Sequence, residues 1–208
     1  MIHLQDDFFD NPYVVRNIAL KSRYACANDY AWPGYRCSDV PENITNEILH
    51  KIRSISGDKV LSFDYTYTEI EGRPNSSFQY VTQEFGDGIY HYDSLAYICI
   101  IYLALDAPVD SGTEICECDD DYKSLIQDEI NERGAIIREF YQDSSNLIKR
   151  LKYDRLLEKV NHNYNPIMKV PNRFNRGIIF PATNFHRAQK FYGNSVKNAR
   201  LTCVSFLR

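Results

Sequence analysis

Long apolar runs are missing from this sequence. The longest, around ICIIYLAL, contains tyrosine and reaches about half of the roughly 20 residues that a membrane-spanning helix requires, so no membrane partner is expected. Charge of one sign is also lacking. Lys and Arg number 24 and Asp and Glu 28, a net charge of −4 that excludes a broad electrostatic pull toward nucleic acid or an anionic lipid surface. The opening MIHLQDDFF carries charge within its first seven residues. It has neither the apolar stretch nor the small-residue cleavage site of a secretory leader, so a cytoplasmic protein is expected. None of the six cysteines forms a CxxC pair, which points to reduced, structural thiols. Cys116-Glu117-Cys118 has no second pair to complete a zinc site. No internal repeat or low-complexity tract interrupts the chain.

What is present is an ordinary globular balance, 44% hydrophobic and 25% charged, over 208 residues. That length suits a single domain, 1–208. Sixteen tyrosines and eleven phenylalanines favour a core rich in strands. Apolar spacing predicts helices over 12–23, with Asp10 or Asn11 as cap and Val15, Ile18 and Leu20 inward, and over 42–55, with Ile44, Ile48, Ile52 and Ile55 on one face. The period then shifts to that of strands at 59–70, 77–84, 95–105 and 113–117. A charged helical insertion covers about 119–163, with breaks at Gly134 and at Asp143-Ser144-Ser145. Its apolar positions are Leu125, Ile126, Ile130, Leu147, Ile148, Leu151, Leu156, Leu157 and Val160. Strands at 176–182 and 199–207 close the chain. This order predicts an α+β fold: a double-sheet jelly roll with the N-terminal helices buttressing one outer face.

The chemistry gathers around HYD. His91 and Asp93 stand two apart, so in extended backbone both side chains point the same way. Alone, that pair fits a surface loop with a hydrogen-bonded histidine better than a metal site. The stretch IIFPATNFHRA supplies a third ligand, His186, just beyond a short strand and a proline turn. Two histidines and one carboxylate make the facial set of non-haem iron(II) oxygenases, which leaves coordination positions open. The other histidines fit less well: His3 near the N-terminus, His50 on a helix face, His162 in the polar NHNYN loop. In the last strand, alternation puts Arg200, Thr202, Val204 and Phe206 on one face. A guanidinium among apolar neighbours requires an anion. That anion is either a ligand carboxylate, gripped by two parallel hydrogen bonds, or an acidic side chain at the strand edge.

Taken together, these stretches resemble the Fe(II)- and 2-oxoglutarate-dependent dioxygenases, on the prolyl-hydroxylase-like side and similar to bacterial and phage members. HYD matches the ligand pair, IIYLALDAPVDSGTEI the strand that ends Tyr-Leu-Asn with its following loop, and FNRGIIFPATNFHRA the approach to the distal histidine. ARLTCVSFL matches the last core strand and DDFFDNPYVVRNIAL the amino-terminal helix. The sequence departs from that pattern at Ala104, where Asn is common, at Ser111-Gly112 in place of Gly-Gly, and in a longer interval between His186 and Arg200.

The resemblance implies a double-stranded β-helix in which His91, Asp93 and His186 hold iron(II). It implies that Arg200 anchors the far carboxylate of 2-oxoglutarate, with Thr202, Tyr102 and Tyr80 as further candidates for the co-substrate. The implied activity is a hydroxylase, an oxidoreductase that converts 2-oxoglutarate to succinate, with ascorbate as reductant in vitro. The implied substrate is a peptide side chain of prolyl type or a small amino-acid-type molecule. The rival readings are a degenerate module and a co-substrate-independent, cupin-like metal-binding protein. The insertion is either a buttress or a lid, and Lys149, Arg150, Lys152 and Arg155 form a basic group on it.

Overall fold

The structure, a computed structural model, describes residues 2–26, 32–57, 76–93, 96–118 and 133–208. The strand expected over 59–70 and the insertion's first part, 119–132, lie outside the described residues. Along the chain come β1 (His3–Gln5), α1 (Pro12–Lys21), β2 (Ala25–Cys26), β3 (Tyr35–Cys37), α2 (Glu42–Ser56), β4 (Ser76–Val81), β5 (Tyr97–Tyr102) and β6 (Thr113–Cys118). A helix described over 133–142, α3, follows. Then come α4 (Leu147–Asn161), β7 (Tyr164–Val170), β8 (Gly177–Pro181), β9 (Phe185–Ala188) and β10 (Arg200–Leu207).

The two N-terminal helices follow from local signals. Pro12 opens α1, where its missing N–H has no helical partner to lose. Val15 and Ala19, one turn apart, are the buried residues of that helix. In α2 the buried face is Ile44, Ile48 and Ile52, and Gly57 follows the last turn. Both helices pack on one face of the larger sheet through a cluster that includes Phe78, Ile101, Ile179, Leu201 and Cys203. The expected N-terminal buttress is therefore present.

The architecture is mixed α and β with antiparallel sheets. Seven strands run β1-β8-β5-β10-β4-β3-β2 and three run β7-β6-β9. The sheets meet through a core in which Ile98, Ile100 and Val204 of the larger pack with Ile115 and Val170 of the smaller. A third cluster, with Ile137, Phe140, Tyr141, Tyr153, Leu156 and Val160, seats α3 and α4 against Cys116, Tyr164 and Phe185. Cys116 is thus a buried apolar thiol and belongs to no group of metal ligands among the described residues.

Several details differ from the sequence reading. The chain turns at Asp143-Ser144-Ser145, and Asn146 caps α4 by accepting from the backbone N–H groups of Ile148 and Lys149. Gly134, by contrast, lies within helical backbone. Leu147, Ile148 and Leu151 are exposed, because the buried stripe of α4 is Tyr153, Leu156 and Val160. The polar stretch after His162 is not all loop, since β7 begins at Tyr164 and includes Pro166. A proline is tolerated there because β7 is an edge strand, and the β6–β7 register shifts beside it, between Ile115 and Cys116.

Ile48 has no exposed surface. Truncation by Ile48→Ala is expected to lower unfolding free energy by about 2–5 kcal/mol, measured by urea denaturation. The loss should be confined to stability, since α2 packs on the face of the larger sheet opposite the smaller sheet.

Candidate metal centre

His91 and His186 are cross-strand partners. The His91 N–H donates to the His186 carbonyl at 3.1 Å and the His186 N–H to the His91 carbonyl at 2.8 Å, an isolated antiparallel bridge beside β9. Directly opposed residues project to the same face, and the two imidazole centroids lie 4.4 Å apart. The Asp93 N–H donates to the Ala182 carbonyl at 2.9 Å, which keeps the chain extended and turns the carboxylate toward both rings. Gly88 permits this close docking: a Cβ at that position would collide with the Ala188 backbone.

The ligand atoms converge. One atom each from His91, Asp93 and His186 lies within 4.8 Å of the others. Asp93 Oδ2 is 3.5 Å from His186 Nε2 and 4.0 Å from His91 Nε2. Each ring turns its other nitrogen to a backbone carbonyl, His91 Nδ1 to Ile89 and His186 Nδ1 to Asn184, both at 2.9 Å. A carbonyl only accepts, so Nδ1 carries the proton and Nε2 presents a lone pair. Burial, with a lesser contribution from His91, lowers the His186 pKa to about 3, so its imidazole stays neutral. Two imidazole nitrogens and a carboxylate oxygen so placed could serve as the donor set for a cation. His186 is 5% exposed. His91 is half exposed, so the cluster opens on that side.

The cluster lines a cavity of about 460 Å³ that also contains Arg200. Arg200 is 6% exposed. Its Nε donates to the Ser111 carbonyl at 3.1 Å and its Nη2 to Thr113 Oγ1 at 3.5 Å. Among the described residues no carboxylate pairs with it. Desolvation pulls its pKa below the ordinary arginine value. Thr202, on the same face of β10, is 1% exposed and its hydroxyl has no hydrogen-bond partner.

Of the two candidate tyrosines, Tyr102 lies beside Arg200, whose guanidinium carbon is 5.7 Å from its ring centroid, and Tyr80 does not line the cavity. Tyr102 shares the inner face of β5 with Ile98 and Ile100 but lies outside the cavity lining, and its hydroxyl donates to Thr113 Oγ1 at 2.8 Å. Tyr80 points away from the cavity: it stacks on Tyr35 and meets Tyr24 edge-on, while its neighbours Gln79 and Val81 line the cavity. His3 is in β1, His50 in α2, and His162 just past the end of α4.

Sequence reasoning missed Thr113, which meets both Tyr102 and Arg200, and the buried carboxylate next to it. Glu114 is 2% exposed. It accepts from Tyr90 Oη at 2.6 Å and Arg187 Nε at 2.7 Å and pairs with Lys169 Nζ at 3.0 Å. Burial opposes its ionisation, but the three donors prevail and lower its pKa to about 2. The network ties β6 to β9 and to the loop before His91. It also uses Arg187, which lines the cavity beside His186. The signal was a Glu inside an apolar strand.

The basic group of α4 does not face the cavity. Lys149 pairs with Asp143, Arg150 with Asp154 and Lys152 with Glu139, at 3.3–3.8 Å. The cavity wall is instead α3, through Arg133, Gly134, Ile137 and Tyr141.

No family model matches this chain, and no curated protein matches it in sequence. Among solved structures it is similar to a Pseudomonas putida prolyl-4-hydroxylase, at 10% identity and a TM-score of 0.48, over 100% of this chain and 91% of that one. Among the described residues no helix is long and apolar enough to cross a membrane.

Glu114 gives a pH test. Its pKa is about 2 when folded against an ordinary 4.5, so its contribution is complete above about pH 4.5 and is lost as the pH falls toward 2. Glu114→Gln should unfold at lower urea near neutrality yet lose less stability between those pH values, followed as urea midpoints across a pH series.

Proposed function

We propose that this chain is an Fe(II)- and 2-oxoglutarate-dependent dioxygenase that hydroxylates a C–H bond of a peptide side chain or a small amino-acid-type molecule. The observation that carries this reading is one cavity holding both a His91–Asp93–His186 donor set and a buried arginine, Arg200, without a carboxylate partner among the described residues. A metal chelated by three side chains keeps positions for a bidentate 2-oxo acid and for dioxygen. A buried guanidinium is suited to that acid's far carboxylate. The balance is R–H + O2 + 2-oxoglutarate giving R–OH + succinate + CO2.

This reading takes residues 1–208 as one domain and the two sheets as a double-stranded β-helix. The strands β8-β5-β10-β4 would form one wall, and β7-β6-β9, extended by the His91 bridge, the other. Bound iron(II) would supply the activation of dioxygen. His91 and His186 would hold it through Nε2 and Asp93 through Oδ2, with no proton to displace from either ring. Arg200 would seat the co-substrate, with Thr113 at hand, whereas Thr202 does not line the cavity. Ile98, Ile100, Val204 and Phe206 make the wall apolar, which excludes water and strengthens the electrostatic grip.

Purified protein supplied with Fe(II), ascorbate and 2-oxoglutarate should release succinate, slowly even without a prime substrate. Asp93→Ala is expected to lower that release at least 100-fold along with iron affinity. Arg200→Gln should raise the KM for 2-oxoglutarate by roughly 10–150-fold, from a lost charged hydrogen bond worth about 1.5–3 kcal/mol. A wild-type protein that takes up no iron and forms no succinate would refute the assignment.

A further inference from the structure

The oxygenase reading gives a task to one buried arginine and leaves another without one. Arg133 and Arg200 are the two buried arginines among the described residues, and both line the same cavity. Arginines a little less buried have carboxylates: Arg176 pairs with Asp6 at 2.6 Å, and Arg187 with Glu114 at 2.7 Å. Arg133, 9% exposed at the described start of α3, has one hydrogen bond among the described residues, from Nη2 to the Tyr90 carbonyl at 3.1 Å. A guanidinium has five N–H donors and a full charge, and a single neutral acceptor leaves most of that demand unmet. Burial in this state is costly unless an anion completes it.

The two arginines lean on different elements. Arg200 rests on Ser111 and Thr113 at the start of β6, whereas Arg133 rests on the residue immediately before His91. The same cavity is also lined by the apolar and aromatic side chains of Trp32, Ile137, Tyr141, Phe185 and Phe191, with the Arg36 guanidinium 4.1 Å from the Trp32 ring centroid. A single guanidinium set against a backbone carbonyl matches a monoanionic carboxylate, held by paired N–H donors. The volume, about 460 Å³ for co-substrate and substrate together, lies toward the small end of ligand sites.

We infer that the prime substrate is a small carboxylic acid with an apolar body, its carboxylate seated on Arg133 and its body against Trp32, Ile137 and Tyr141. This rests on the oxygenase reading for the reaction, while the anchor itself rests on Arg133 alone. The anchor fixes one end of the molecule beside His91, which limits the carbons that can lie against the metal ligands. It selects a free acid over an internal peptide residue, whose carboxyl group is an amide.

Trp32, the chain's single tryptophan, lines the cavity and reports its occupancy by fluorescence. The probes are N-acetyl-leucine, its amide, and a pentapeptide ending in leucine with a free carboxylate. The wild type should bind the acid at least tenfold more tightly than the amide. Arg133→Gln should abolish that preference, and Arg133→Lys should restore part of it, with thermal midpoints confirming that both variants fold. Saturating 2-oxoglutarate should leave acid binding in place. Equal binding of acid and amide by the wild type overturns the inference whether or not the variants fold. So does a preference that survives Arg133→Gln, or one that 2-oxoglutarate displaces competitively, which would put the acid on Arg200. A pentapeptide that binds as tightly as the free acid would keep the anchor but refute the small-molecule substrate. Succinate release by the wild type is scored separately: its absence removes the oxygenase reading while an Arg133-dependent preference for acid still stands.

Discussion

Two backbone hydrogen bonds between His91 and His186 set the geometry on which the candidate site depends. They make distant residues direct cross-strand neighbours, so both rings project to one side and their Nε2 atoms approach the same carboxylate. The Nδ1–carbonyl contacts then fix the tautomers. Each step constrains the next: bridge, ring direction, proton position, converging lone pairs. The three donor atoms so gathered could hold a metal ion.

The Glu114 network holds that backbone in place. One buried carboxylate gathers Tyr90 from the loop before His91, Arg187 from the residue after His186, and Lys169 from the edge strand. It satisfies its charge with donors from each segment that must stay in register for the histidines to meet. It also neutralises Arg187, which removes that cation from the cavity's balance. Arg200 and Arg133 are the buried arginines that line the cavity among the described residues.

The larger sheet explains why the tyrosines were hard to place. It is covered by α1 and α2 on one face and by the smaller sheet on the other. Strands buried on both faces lose the alternation of apolar and polar residues that marks an inside. β4 is buried at nearly every position, so nothing in SSFQYV says that Gln79 and Val81, rather than Tyr80, face the cavity. β10 is an exception, because an arginine in an apolar strand demands an anion whichever face it takes.

Local physics decided much of this protein within the sequence itself. The periods of α1 and α2, the turn at Asp143-Ser144-Ser145, the shared direction of His91 and Asp93, and the demand of Arg200 for an anion all arise from neighbours a few residues apart. Chain packing decided the rest. It paired His91 with His186, let β7 carry a proline at an edge, turned Tyr80 outward, and laid α3 along the cavity so that Arg133, not the basic run of α4, faces the ligand space. Those outcomes depend on which surfaces meet after loops close. Spacing along a chain records the direction of a side chain relative to its own element, but not what the element comes to rest against.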